Sequence, residues 1–199
     1  MECKIVKTSF SLSDFEEEEE WLSQMHKKGW KLIEISKNGY KFEKCQPEDW
    51  IYQLDFQIKN IEDNSYLKLY NDYGWSFLLK SCNWYYFRKQ KDSNDTDLSL
   101  FSDRDSKITM CERLISKKLI FNVTLFAIAS VIVIMEIFTH AFTSETTILI
   151  PKFTWINDFL KAALPWVGIG LFVATSFSFS DYVKIRNKMN RMKNPLDKI

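Results

Sequence analysis

The chain lacks the short motifs that usually announce an enzyme. It has no glycine-rich phosphate loop, no nucleophile elbow, no paired-carboxylate signature and no Cys/His spacing suited to a metal. The expectation is a protein that is not an enzyme, with no catalytic residues, no metal and no cofactor. Cysteine is scarce: Cys3, Cys45, Cys82 and Cys111 lie far apart with no CxxC. That spacing speaks against a disulfide or zinc framework and for reduced, structural thiols. No apolar stretch follows the start, MECKIVKTSF, so no secretory signal is expected and the front of the chain should stay in the cytoplasm. Excess basic charge is absent there too. Residues 1–112 carry 16 Lys/Arg against 21 Asp/Glu, net −5, which disfavours nucleic acid as a partner. Residues 113–199 reverse the balance, with 11 against 5, net +6.

What is present is one long apolar run. Leu119–Phe142 contains only two ionisable residues, Glu136 and His140. As a helix its length is roughly 36 Å, enough to cross a hydrocarbon layer of about 30 Å. A second candidate span, Ala162–Ser180, is less apolar. Together they predict a two-helix transmembrane hairpin. Lys117 and Lys118 precede it and the basic tail KIRNKMNRMK follows it, so both termini are expected on the cytoplasmic side of a cell membrane. Gly170, Ala174 and Ser178 recur every four residues and are candidates for close helix packing, within the hairpin or against a second copy in a homo-oligomer. Glu136 and His140, i and i+4, are candidate intramembrane polar residues.

The front reads as α+β. Lys4–Phe10 alternates as a strand. Ser13 and Glu16 form a capping box for a helix that Gly29 ends. Glu16–Glu20 point around the whole helix, so they are read as a solvated helix start and not a cation site. His26, among lysines, is read as surface. Trp30–Ile35 and Tyr40–Cys45 form a hairpin around Asn38-Gly39. Trp50–Gln57 is a further strand, Glu62–Tyr73 a second helix, and Trp75–Leu79 with Trp84–Lys89 a last hairpin.

These pieces repeat. Gly29-Trp30 returns as Gly74-Trp75, 45 residues on, and Tyr40, Phe42 and Lys44 hold the same offsets as Tyr85, Phe87 and Lys89. The fold expected is therefore a duplicated strand–helix–strand–strand cytoplasmic domain over 1–90, placing two helices on one face of a sheet. A polar linker and juxtamembrane segment follows over 91–118. The hairpin (119–142, 162–180) and its tail occupy 119–199. Trp30 and Trp75 are expected as buried anchors. The aromatic surplus beyond them marks Trp50, Tyr52, Tyr70, Trp84 and Tyr86 as candidate ligand- or partner-binding residues.

The order EEEEEWLSQMHKKGWKL, GYKFEKC, WIYQLDF, YGWSF, WYYFRK resembles an uncharacterised family from low-GC Gram-positive bacteria, a domain of unknown function often followed by transmembrane helices. The resemblance covers about residues 7–90. It implies genes placed beside PadR-like transcriptional regulators and no catalytic residues. The duplicated unit is also similar, in fold alone, to the paired modules of GyrI-like effector-binding domains, which bind small molecules between their halves. The expected function is a membrane-anchored regulatory or sensory protein whose cytoplasmic domain binds a small molecule or a partner protein. The alternative is an accessory or immunity-type protein acting through its hairpin.

Overall fold

A computed structural model describes residues 2–59, 64–91, 100, 104–142 and 154–193, without the side chains of 64, 104, 136–142, 154–161, 164 and 165. Strand β1 (Cys3–Val6), helix α1 (Phe15–Lys27) and strands β2 (Trp30–Ser36) and β3 (Gly39–Lys44) make the first unit. Strand β4 (Trp50–Phe56), helix α2 (Asn64–Asp72) and strands β5 (Ser76–Ser81) and β6 (Trp84–Gln90) make the second. Two long helices follow, α3 (Arg104–Phe142) and α4 (Thr154–Lys193).

The repeat in the sequence is a repeat in topology. The sheets are separate, three-stranded and antiparallel, ordered β1-β3-β2 and β4-β6-β5. Each has a register shift at the same place, between Leu32 and Glu34 in one and Phe77 and Leu79 in the other. Gly29 and Gly74, each just past a helix, take φ of 83° and 80°, a left-handed conformation that glycine adopts without a Cβ penalty.

Two corrections concern the layers. The helices do not share one face of one sheet. Trp84 and Tyr86 of β6 turn toward α1, where Trp84 meets Phe15 at 5.8 Å and Tyr86 bonds Glu18. Tyr85 and Phe87 turn toward α2, meeting Tyr66 at 5.6 and 6.2 Å. Strand β6 is thus buried on both faces, as alternation in a central strand allows. The second correction concerns Leu100 and the residues from Arg104 on, expected within a polar linker and juxtamembrane segment. Leu100 is buried, and helix α3 begins at Arg104, with Met110, Cys111 and Leu114 fully buried in the α/β core. Ile185 of α4 is in the same core. Of the anchors, Trp75 is 2% exposed, while Trp30 is half-buried under the Lys4 ammonium at 4.0 Å.

The chain divides into two compact units. One comprises Met1–Ile115 with Ile185–Ile199, the other Ser116–Lys184. In the second unit α3 and α4 are joined by the Lys118–Asp181 ion pair at 2.8 Å, with little of either side chain exposed. Their outer surfaces stay apolar and open: Phe126, Ile134, Trp166, Phe172 and Phe177 are each more than 60% exposed. Among the described residues α3 is the one helix long and apolar enough to cross a membrane, and none of that apolar stretch is buried. The second expected span lies inside α4 and is helical throughout, but it is not identified as a span among the described residues. Ser178 is buried, but Gly170 and Ala174 are exposed, and a Cβ at Gly170 would meet nothing within 4 Å. Glu136 and His140 lie on α3, with side chains outside the described residues.

Burying Leu114 and Ile185 removes apolar side chains from water at roughly 1.5–3 kcal/mol each. Leu114→Ala is expected to cost about 2–5 kcal/mol through lost transfer energy and the cavity left behind. The check is thermal unfolding of the full chain in detergent, followed by tryptophan fluorescence of the α/β unit. An unchanged transition would mean that the start of α3 is not part of its core.

Candidate functional site

Helix α1 holds the densest set of buried polar contacts in the α/β unit. Phe15, Glu18, Leu22 and Met25 recur at helical spacing and form its inward face. Glu18 is therefore a polar member of an apolar stripe, only 5% exposed. Its Oε1 accepts hydrogen bonds from the hydroxyls of Tyr40, on β3, and Tyr86, on β6, both at 2.7 Å. One carboxyl group thus ties the two sheets together. Burial pushes the Glu18 carboxyl above its usual range, against the two hydroxyl donors. Burial and the nearby Glu18 hold both tyrosine hydroxyls well above theirs, so they stay donors at any ordinary pH.

Helix α1 also covers the edge of the second sheet. Strand β4 is an edge strand, and its outward N–H groups need partners. The Tyr52 N–H donates to Ser23 Oγ at 3.1 Å and the Leu54 N–H to Glu19 Oε1 at 2.8 Å. Burial pushes Glu19 up to about 8, opposed by the Leu54 hydrogen bond and by Lys107.

At the far end of α1, His26 is buried, not on the surface as its neighbours suggest. Its Nδ1 lies 2.8 Å from the Tyr52 hydroxyl, and its ring stacks on Trp50 at 5.4 Å and 4°. Burial, and then the Arg88 charge, push His26 down to about 4, so the ring is neutral at pH 7. Arg88 lies over Trp50, its guanidinium carbon 4.8 Å from the ring centroid.

At the near end the sequence suggests a capping box and a solvated acidic start, and both readings need correction. Asp14 is the N-cap and makes no side-chain cap bond. Lys107 of α3 pairs with Glu16 at 3.0 Å. Lys188 of α4 pairs with Glu16 at 3.3 Å and Glu17 at 3.1 Å, and donates to the Ser13 carbonyl at 2.9 Å. Burial alone would raise the Glu16 carboxyl; Lys107 and Lys188 outweigh it and hold it below its usual range. Lys193 adds a pair with Glu112 at 3.0 Å. The basic tail is therefore partly engaged by the α/β unit.

The five aromatic candidates do not meet in one groove. Trp50 and Tyr52 belong to the His26 cluster. Trp84 packs between Phe15 and Phe56, and Tyr86 is the Glu18 partner. Tyr70 sits on the other face of the second sheet, 4.7 Å from Phe87. Sequence reasoning missed His26, Glu18, Glu19, Arg88, Lys107 and Lys188. Only Glu18 carried a signal, its place on the Phe15–Leu22–Met25 stripe. No group of three or more Cys, His, Asp or Glu suited to a metal occurs among the described residues. Burial pushes the Cys111 thiol up to about 11, away from reactive thiolate chemistry.

Residues 14–124 match the family described as "Protein of unknown function (DUF2812)". The chain belongs to this family. The match opens at the α1 cap and runs through the second unit into the apolar part of α3. No curated protein and no solved structure matches the chain.

The raised Glu19 carboxyl has a definite sign. Its folded form holds a proton that the unfolded chain releases near pH 4.5, so stability is lost as pH rises through about 8. His26 works in the opposite window. The neutral ring favours folding above about pH 6.5, and that share is lost as pH falls toward about 4. Melting of the full chain should show a loss of about 1 kcal/mol between pH 7 and pH 9. Glu19→Gln should flatten that alkaline limb and leave the acid limb in place. An alkaline limb that survives the substitution would assign it to another group.

Proposed function

We propose that this DUF2812 protein is a membrane-anchored regulatory protein, in which α3 and α4 cross the membrane as a hairpin and the α/β domain responds on the cytoplasmic side. The basic flanks of the hairpin favour cytoplasmic termini. The observation that carries the reading is the burial of Met110, Cys111, Leu114 and Ile185 within the α/β core. A tether needs only a polar linker. A helix whose end is fixed in a core, and clamped by Lys188 to the start of α1, hands any displacement to the element that holds both sheets. Such a device regulates when a ligand, a partner or the bilayer favours one arrangement over another. Trp50 and Tyr52, gathered with His26 on β4 and α1, are the candidate contacts for a small molecule or partner.

The rival reading, an accessory protein acting through its hairpin, draws on one observation. Asn122 Oδ1 and Ser178 Oγ are buried side-chain atoms with no hydrogen-bond partner among the described residues, which leaves polar capacity inside the apolar pair. Both readings place the protein in a membrane, so membrane pelleting and resistance to alkaline extraction test their common ground.

To separate them, the full chain is reconstituted into bilayers of about 27 and 33 Å hydrocarbon thickness and followed by amide hydrogen exchange. Coupling predicts that exchange at Tyr52 and Leu54, the amides capped by α1, changes with thickness. It further predicts that Lys188→Met reduces this response. Identical protection in both bilayers would sink the regulatory reading and leave the α/β domain as a scaffold.

A further inference from the structure

Arg88 lacks the carboxylate that most of the partly buried cations have, a lack it shares with Lys4 over Trp30. Lys107, Arg113, Lys118 and Lys188 each have a carboxylate within 3.3 Å. Arg88 is also partly buried, yet no ion pair reaches it among the described residues, and its Nε is sealed from solvent without a hydrogen-bond partner. Its setting is built, not incidental. Strand β6 places it directly across from Tyr52 of β4 and Ser76 of β5. Trp50 supports the guanidinium at 4.8 Å, and His26 stacks on the same indole. Glu48 is the nearby acid, but its carboxylate accepts the Trp50 Nε1–H at 2.7 Å and makes no ion pair with Arg88. The C-terminal end of α1 offers roughly half a negative charge, which offsets only part of a full cation. A guanidinium withdrawn from water without an anion is costly, and oxyanions match its planar donors in pairs.

We propose that Arg88, framed by Trp50, Tyr52 and His26, is an oxyanion-binding site that takes the carboxylate or phosphate group of a small ligand. The inference deepens the ligand-binding part of the proposed function and rests on it. The neutral His26 adds no second positive charge, so the site is matched to one anionic group. The Tyr52 hydroxyl, at 2.8 Å from His26 Nδ1, also accepts a hydrogen bond from the Arg88 side chain, a neutral partner that leaves the guanidinium charge uncompensated. Any ligand seated there bears on His26 at the end of α1, the helix that joins both sheets.

The test uses the full chain in detergent at constant ionic strength. Tryptophan fluorescence is followed while chloride is replaced by inorganic phosphate in one titration and by benzoate in another. A saturable change is expected with at least one probe. Saturation with phosphate alone assigns a phosphorylated ligand, and with benzoate alone an organic acid. Arg88→Met should abolish the response. Arg88→Lys, which keeps the charge but loses the planar fork, should weaken it about tenfold or more while leaving the melting curve close to wild type. No saturable change up to about 50 mM of either probe overturns the site, as does equal affinity in a folded Arg88→Lys and Arg88→Met pair. Binding at Arg88 that leaves Tyr52 and Leu54 exchange unaltered by bilayer thickness would keep the site and remove the coupling. Absence of binding with coupling intact would do the reverse.

Discussion

The Glu18 carboxyl is the point on which the α/β unit turns. Two sheets that share no hydrogen-bonded ladder need something to fix their spacing, and apolar packing alone is not directional. Two tyrosine hydroxyls from different sheets converging on one carboxyl oxygen supply direction. The cost is a buried carboxyl with no cation at hydrogen-bond distance among the described residues, and the carboxyl answers by holding its proton more tightly. Specificity of this kind is the best reason to keep an acid in a core. Glu19 and Ser23 extend the logic by giving the β4 edge the acceptors that a further strand would supply.

Strands and hairpins were legible because alternation, Asn-Gly and Gly-Trp are local signals. Each strand lies within a few residues of where pattern alone puts it, and the 45-residue offset even carries the register shift. The buried ends of α3 and α4 were not legible. Residues 91–107 are rich in Asp and Ser, and nothing in that composition says that Leu100 is covered or that Met110 and Leu114 face a domain. Lys188 reads as a topology charge of the basic tail because its partner, Glu17, lies 171 positions away. Polar pairs at such separation leave no periodicity. His26 was misread for a related reason: its neighbours are lysines, and the group that buries it is Trp50, on a strand that follows two others.

The candidate site was legible only as an excess of aromatics. Trp84 and Tyr86 are explained by a strand covered on both faces, which requires apolar side chains on each. Trp50 is different, because its ring, at the margin of the core, is shared between a histidine and an arginine. Composition cannot separate these uses. The distinction comes from what stands behind each ring.

Two of the positions at which the repeats differ receive the long helices. Phe10 in the first unit touches Trp21, ring to ring, at 5.5 Å. At the same offset the second unit has Asp55 and Tyr66, and the contact becomes a hydrogen bond from the Tyr66 hydroxyl to the Asp55 carboxylate at 2.5 Å. That exchange puts an acid, 1% exposed, where the first unit has a phenyl ring, and Arg113 of α3 answers it at 2.9 Å while its Nε reaches the Phe56 carbonyl at 2.8 Å. In the first unit Glu16, at the offset where the second has Ile61, receives Lys188 of α4 together with Glu17. At Asp55 and at Glu16 the difference supplies an acid that meets a cation from α3 or α4. The two halves have specialised as sockets, the second for α3 and the first chiefly for α4, while the common strand–helix–strand–strand frame and the Glu18 tie keep the sockets in one body.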